Sequence, residues 1–391
     1  MSLMTKIKEI LRNYEYLLAV TVILIGVFGI FMVYAFGNSP GTPQFIVNQF
    51  GGLWERQRVY IISGAIIMVL VSLIDYHYIT RFYLYIYGLM IALLVIVMLT
   101  GVDDGTNVAR WIWIPIPGVG RISMQPSEFS KLFMILFLAK FLDIKKDTFN
   151  KVWWVGLVLV LIAVPVFLVT RQPSLSASLV VLFTSLTVLF VAGLYYRTIL
   201  IGLGLISPAA VMLWLDLQRE VPVILPRILS SWQLRRITTW QNPIIGSDEF
   251  HQTQSSLRAI SAGGLTGRGF LNNSYVANGH NDFVFSLVAE QFGFIGAAVL
   301  LAVIAFVIVK CIRIGQRAAD MEGKLIATGV AGMLIFETFV HVSVTTNLLP
   351  NTGMPFPFLS FGGSMIWVHM IAMGMVLNVA LPRKKSMFED E

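Results

Sequence analysis

Residues 278–296 read NGHNDFVFSLVAEQFGFIG, and the apolar run that begins there continues to residue 311. A bilayer core takes roughly 20 apolar residues as a helix, so 283–311 reads as a membrane span. Two carboxylates stand against such a span: Asp282 directly before it and Glu290 inside it. An ionisable group at membrane depth is costly and marks function by default. Asp282 has two readings. As an N-cap it satisfies the first backbone N–H groups of the helix. As a partly buried acid beside a polar loop it is a base of raised pKa. Glu290 lies roughly 12 Å deeper, at about 1.5 Å of rise per residue. A nucleophile-and-acid pair of carboxylates stands about 5 Å apart, so these two do not form one. Glu290 is expected to bond a neighbouring span.

The rest of the chain repeats the apolar pattern. Of 391 residues, 57% are hydrophobic and 13% charged, against about 25% charged in soluble proteins. Spans are expected near 17–37, 58–75, 81–100, 129–142, 151–170, 174–195, 198–216, 283–311, 324–346 and 358–381. The fold class is therefore an all-α polytopic membrane protein. About ten transmembrane helices form one membrane domain over 1–391, with a long extracytoplasmic loop, 217–282, between the seventh and eighth. Within that loop, VPVILPRILSSWQLRRI is amphipathic and suits the membrane surface. Residues 1–16 place Leu3, Ile7, Ile10, Leu11 and Tyr14 on one helical face, with Lys6, Lys8 and Arg12 on the other, which predicts an amphipathic cytoplasmic segment.

Charge orients the spans. With the N-terminus inside, inner segments hold sixteen Lys and Arg and the short outer loops five. That bias predicts both termini in the cytoplasm. It also assigns the net charge of +7 to topology and anionic lipid rather than to nucleic acid. The single cysteine, Cys311, excludes an intramolecular disulfide and a cysteine zinc cluster. The scattered histidines suggest no metal site. Lys131 and Asp216 are placed to snorkel from span ends, and Glu337 with His341, four apart on one helix face, is placed to pair. Trp111 and Trp113 suit the interfacial aromatic belt or the face of a sugar.

Five stretches together resemble the SEDS family of bacterial envelope proteins, whose members include RodA, FtsW and SpoVE. RWI…QPSEFSKL at 110–132 is similar to the family's Arg-Trp followed by Gln-Pro-Ser-Glu-x-x-Lys. RQPSLSASLVVL at 171–182 resembles its Gln-Pro-Asp-Leu-Gly segment, with Ser174 in place of the acid and Ser176 in place of the glycine. QSSLRAISAGGLTGRGF at 254–270, HNDFVFSLVAEQFGFIG from His280, and LLPNTGMPFPFLSFGGS at 348–364 complete the set in the family's order. Asn281 replaces a threonine, Gln291 a glutamate, and HVSVTTN at 341–347 departs from Asn-Ile-Gly.

The resemblance implies a peptidoglycan glycosyltransferase in the bacterial cytoplasmic membrane, polymerising lipid II at its outer face beside a class B penicillin-binding transpeptidase. The essential aspartate falls on Asp282. The matched motifs mark Arg110, Trp111, Gln125, Glu128, Lys131, Arg171, Gln254, Arg258, His280 and Ser364 as substrate-binding candidates. The residue chemistry agrees. A sugar hydroxyl needs one base to attack an anomeric carbon. A pyrophosphate leaves as a stable anion and needs positive charge, from arginine, lysine or a divalent cation such as Mg or Mn, rather than an acid. One carboxylate among cations therefore suffices for an inverting displacement. The alternatives are a lipid-precursor flippase or other transporter, with a polar route through Glu337 and His341, and a SEDS-like scaffold with weak or no chemistry. The absence of a visible internal repeat weighs against inverted-repeat transporters.

Overall fold

The computed structural model describes residues 14–381 apart from 41, 101, 104–108, 117–119, 173, 220–222, 230, 245 and 248–249. The expected amphipathic segment at 1–16 lies almost wholly outside them. The long helices follow the apolar runs because a chain in lipid must satisfy its own backbone groups. In chain order they are α1 Tyr16–Asn38, α2 Gln44–Phe50, α3 Leu53–Leu73, α4 Tyr76–Thr80, α5 Tyr83–Thr100, α6 Pro126–Ile144, α7 Val152–Arg171, α8 Leu175–Val191 and α9 Tyr196–Leu217. Then come α10 Leu225–Ile228, α11 Ser231–Gln241, α12 His251–Gly263, α13 Val284–Gln316, α14 Met321–Thr345 and α15 Gly363–Ala380. Among the described residues, seven helices are long and apolar enough to cross a membrane. Of the remaining apolar helices, α8 is shorter, at 17 residues. Helix α6 carries Glu128, Lys131, Lys140 and Asp143, and thirteen of its residues are buried against protein.

The fold is mostly helical, as expected, and adds a small antiparallel sheet that the helical reading did not include: β1 Val102–Asp103, β2 Ala109–Ile116 and β3 Gly120–Met124, in the order β1-β2-β3. Ile112 pairs with Met124 and Ile116 with Gly120. The physical reason is local: RWIWIPI alternates with period two and is rich in aromatic and β-branched residues, which favours a strand over a helix.

Helices α14 and α15 form the centre, with 78% of each span buried, against 17% for α5 and 22% for α7. Leu200, Ile201, Leu205 and Trp214 on α9 are exposed, as suits a helix facing lipid. At one end of the bundle gather β3, the start of α8, helix α11 and the α14–α15 loop. Four hydrogen bonds tie that end together: Gln125 N to Ser364 Oγ, Ser176 Oγ to Thr352 O, Arg236 Nη1 to Asn351 O and Trp240 Nε1 to Asn347 O.

Helix α13 is broken at Gly293, where φ is +67°. The loop after α12 stitches the break. Arg268 N and Gly269 N donate to Glu290 O and Gln291 O at 2.9 and 3.0 Å, and Phe294 N and Ile295 N donate to Gly264 O and Leu265 O at 2.9 and 3.1 Å. Carbonyls and amides freed by the break thus find partners in protein, which is required at membrane depth. A Cβ on Gly293 would enter the backbone of Gly267 and Leu265, and one on Gly267 the carbonyl of Gln291. Gly293→Val is expected to destabilise the protein by more than about 3 kcal/mol, since an incompatible φ and a backbone clash add. Thermal unfolding in detergent reads this directly; an unchanged midpoint would show that the break is not obligatory.

Candidate active site

A cavity of about 180 Å³ opens at the loop end of the bundle. Its lining includes Arg110 and Trp111 from β2, Gln125 and Glu128 at the start of α6, Ser174 and Ser176 at the start of α8, Arg236 from α11, Asn281 and Asp282 before α13, Thr352–Met354, and Ser364 from α15. Sequence segments more than a hundred residues apart meet here because α6, α8, α13 and α15 all present the same end.

Asp282 does not cap its helix. Phe283 holds the N-cap position and no side chain caps it. Phe283 itself is buried, which anchors the chain and leaves the carboxyl to the cavity. The preceding backbone is clamped by the α14–α15 loop. Phe361 N donates to His280 O at 2.8 Å, and Ser360 Oγ donates to Asn281 O at 2.6 Å. His341 holds the other side: its Nδ1 contacts Met354 O at 2.7 Å and its Nε2 accepts from Phe285 N at 3.4 Å. Burial pushes the Asp282 carboxyl up to about 6, while the neighbouring Arg236 and Arg110 pull it down. Burial, and then the like charge of Arg236, lower Arg110 from the ordinary guanidinium range.

Beneath the cavity runs a buried ion network. Lys131 Nζ donates to Glu128 Oε2 at 2.7 Å and to Glu337 Oε1 at 2.6 Å, and Glu337 Oε2 lies 2.6 Å from His369 Nε2. Lys131, Glu337 and His369 are each at most 1% exposed. Two expectations fail here. Glu337 pairs with Lys131 and His369 rather than with His341, because residues on neighbouring helices reach its carboxylate. Lys131 does not snorkel but is enclosed between carboxylates. Asp216, also expected to snorkel, instead accepts from Val223, Ile224 and Leu225 N at 2.8–3.0 Å and closes the turn after α9. Glu290 bonds Arg268 and Ser274 N in the preceding loop, not a neighbouring span.

Of the sequence-predicted residues, Arg110, Trp111, Gln125, Glu128, Asp282 and Ser364 meet in the cavity. Lys131 reaches it only through Glu128. The others stand outside its lining. His280 sits among Phe36, Phe50 and Phe361 with ring centroids 4.7, 5.1 and 5.9 Å away, and burial lowers its pKa to about 4, so it is neutral. Arg171 lies over the Phe167 ring. Gln254 and Arg258 belong to α12, and Arg258 is exposed. Sequence reasoning missed Arg236. The signal was present: Gln233, Arg236, Ile237 and Trp240 recur at helical spacing, which turns Arg236 toward the bundle and Arg235 away from it. Of the carboxylates lining the cavity, Glu128 is committed to Lys131. The described lining therefore offers a divalent cation Asp282 alone, which is a poor fit, and no group of three or more His, Cys, Asp or Glu gathers among the described residues.

The FtsW/RodA/SpoVE family model, described as a cell cycle protein, matches residues 15–385. Stage V sporulation protein E of Bacillus subtilis is 32% identical over 373 residues, covering 94% of this chain and 96% of its own. Peptidoglycan glycosyltransferase MrdB of Escherichia coli K12 is 31% identical over 344 residues, covering 85% and 87%. Among solved structures, a chain from work on the coordination of polymerization and crosslinking by a peptidoglycan synthase complex superposes with a TM-score of 0.73 at 26% identity, covering 94% of this chain and 97% of that one. The rod shape determining protein RodA of Thermus thermophilus gives 0.65 at 25% identity, covering 94% and 96%.

Proposed function

The chain belongs to the FtsW/RodA/SpoVE family, and on that premise we propose that it is a peptidoglycan glycosyltransferase that polymerises lipid II. The observation that carries the reading is the meeting of one half-buried carboxylate, Asp282, with Arg110 and Arg236 in a single cavity at the loop end. The charge bias of the sequence puts that end outside the membrane and both termini in the cytoplasm. A class B penicillin-binding transpeptidase is the proposed partner, in keeping with the crosslinking that accompanies polymerization in the related complex.

The step needs little machinery. The acceptor's sugar hydroxyl loses its proton to an Asp282 carboxylate oxygen as its own oxygen bonds to the donor's anomeric carbon. The bond from that carbon to the pyrophosphate oxygen breaks, and the pyrophosphate departs with the electron pair. Configuration inverts because one displacement occurs. Arginines oppose the charge that develops on the leaving oxygen. Burial raises the basicity of Asp282, and its two cations keep the carboxylate ionised near neutrality.

Against a transporter stands the ion network: Lys131, Glu337 and His369 are buried and mutually paired, so they lack the open polar route that transport needs.

The test is polymer formation by the purified protein with its transpeptidase partner. The pH dependence carries the sign. A base must be ionised, and its pKa is raised to about 6, so kcat/KM is expected to be flat above pH 7 and to fall through a half-maximum near pH 6. A profile still flat at pH 4.5 would remove Asp282 as the base.

A further inference from the structure

We propose that Arg236 holds the donor's leaving pyrophosphate and that the apolar groove beside it takes the donor's polyprenyl chain. This deepens the glycosyltransferase reading and rests on it.

A polyprenyl-pyrophosphate sugar changes character at its phosphates, with hydrocarbon on one side and sugar on the other. Its site therefore needs a cation where an apolar groove meets a polar cavity. The structure has such a junction. A groove of about 230 Å³ runs between the ends of α8 and α14 beside α11, walled by Leu175, Leu179, Ile237, Phe336, Phe339 and Leu349. Arg236 and Thr352 line both this groove and the Asp282 cavity, and Arg236 is the residue of the two that carries charge. Leu179 and Phe339 are exposed apolar side chains on α8 and α14, so the groove continues onto a surface that suits hydrocarbon.

Geometry assigns the phosphate to the donor rather than the acceptor. A Cβ built on Gly353 would stand 3.2 Å from Asp282 Oδ2 and 3.9 Å from Arg236 Nη1, so carboxylate and guanidinium both border the space beside Gly353 and lie close to one another. In an inverting displacement the base and the leaving group lie on opposite sides of one carbon. The leaving oxygen then falls only two bond-like distances beyond the attacking hydroxyl. The acceptor's own pyrophosphate lies a whole disaccharide from its reacting hydroxyl, too far to reach a cation placed beside the base.

Charge and anchoring agree with that assignment. Glu128 is paired with Lys131, and Arg110 and Arg236 both act on Asp282 in the same cavity, which gathers two guanidinium groups where an anion would sit. Arg236 is set in place by donating to Asn351 O at 3.0 Å, while Asn351 Nδ2 donates to Gln252 Oε1 at 2.8 Å. The planar guanidinium matches phosphate oxygens in a way that an ammonium does not.

Two measurements test the proposal. The first is binding of undecaprenyl pyrophosphate and of a short-chain isoprenyl pyrophosphate to the full-length protein in nanodiscs. Arg236→Ala is expected to weaken both at least 10-fold, and Arg236→Lys to recover part of the loss. Leu179→Trp, or Phe336→Ala should that variant fold poorly, is expected to weaken the long chain by a larger factor than the short one. The second is polymerisation, in which Arg236→Ala is expected to lower kcat by 10²-fold or more with a smaller change in KM, since charge on the leaving group develops in the transition state. If wild type forms polymer yet Arg236→Ala keeps its kcat, or if the groove variants weaken both chain lengths equally, this inference fails while the glycosyltransferase reading stands. If wild type forms no polymer, that reading fails; the binding series still decides whether Arg236 and the groove hold a polyprenyl pyrophosphate.

Discussion

Asp282→Asn is expected to lower polymer formation by roughly 10²- to 10⁴-fold, the span that a positioned general base contributes. The amide keeps the shape of the carboxylate and can accept one hydrogen bond, but it cannot take the proton of the attacking hydroxyl. It also removes the negative charge that acts on both Arg110 and Arg236 in the cavity. Substrate binding should therefore change less than turnover, and association with the transpeptidase should persist. Asp282→Glu moves the carboxyl by one methylene and is expected to recover only part of the rate, because proton transfer requires about 2.6–3.2 Å between heavy atoms. The measurement is glycan polymer per unit time at saturating lipid II. Full activity in Asp282→Asn would end the catalytic assignment and leave the scaffold reading in its place.

Lys131→Met is expected to cost about 3–5 kcal/mol of stability, the usual result of removing one partner from a buried ion pair. Lys131 lies between Glu128 and Glu337, both buried. Without the ammonium, Glu337 remains fully buried with His369 beside it, and Glu128 loses its ion pair at the cavity lining. Adding Glu337→Leu should restore much of the lost stability, since an apolar replacement of a buried pair costs little or nothing. The double variant also separates two roles for the lysine. If it is stable and polymerises, Lys131 acts by organising Glu128 at the cavity floor. If it is stable and inactive, the charge itself serves the reaction. Unfolding midpoints and the yield of monodisperse protein report the first effect. A Lys131→Met protein as stable as wild type would mean the network does not hold the helices together.

Much of the architecture was legible without coordinates. The run at 17–37 became α1 Tyr16–Asn38, and the run at 324–346 became α14 Met321–Thr345. Apolar length is a local property and needs no knowledge of neighbours. The strand signal is local too: the alternation of RWIWIPI at 110–116 lies within β2, in a segment between expected spans. Asp282, Arg110 and Ser364 were reached through motifs, and the structure brings them to one cavity. His280 was reached the same way, yet its ring is enclosed by three phenylalanines. Motif order locates a segment and leaves open which way each side chain in it turns.

Composition, hydropathy and charge bias thus determined a membrane-embedded helical chain and the segments that carry its chemistry, because each follows from interactions within a few residues or with the solvent. Tertiary structure alone decided that Glu337 pairs with Lys131 rather than His341, that Asp282 faces a cavity instead of capping α13, and that Arg236 stands where hydrocarbon meets polar surface. Those outcomes depend on which helices adjoin, and Coulombic and hydrogen-bond partners are chosen by distances of 3–4 Å between residues remote in sequence.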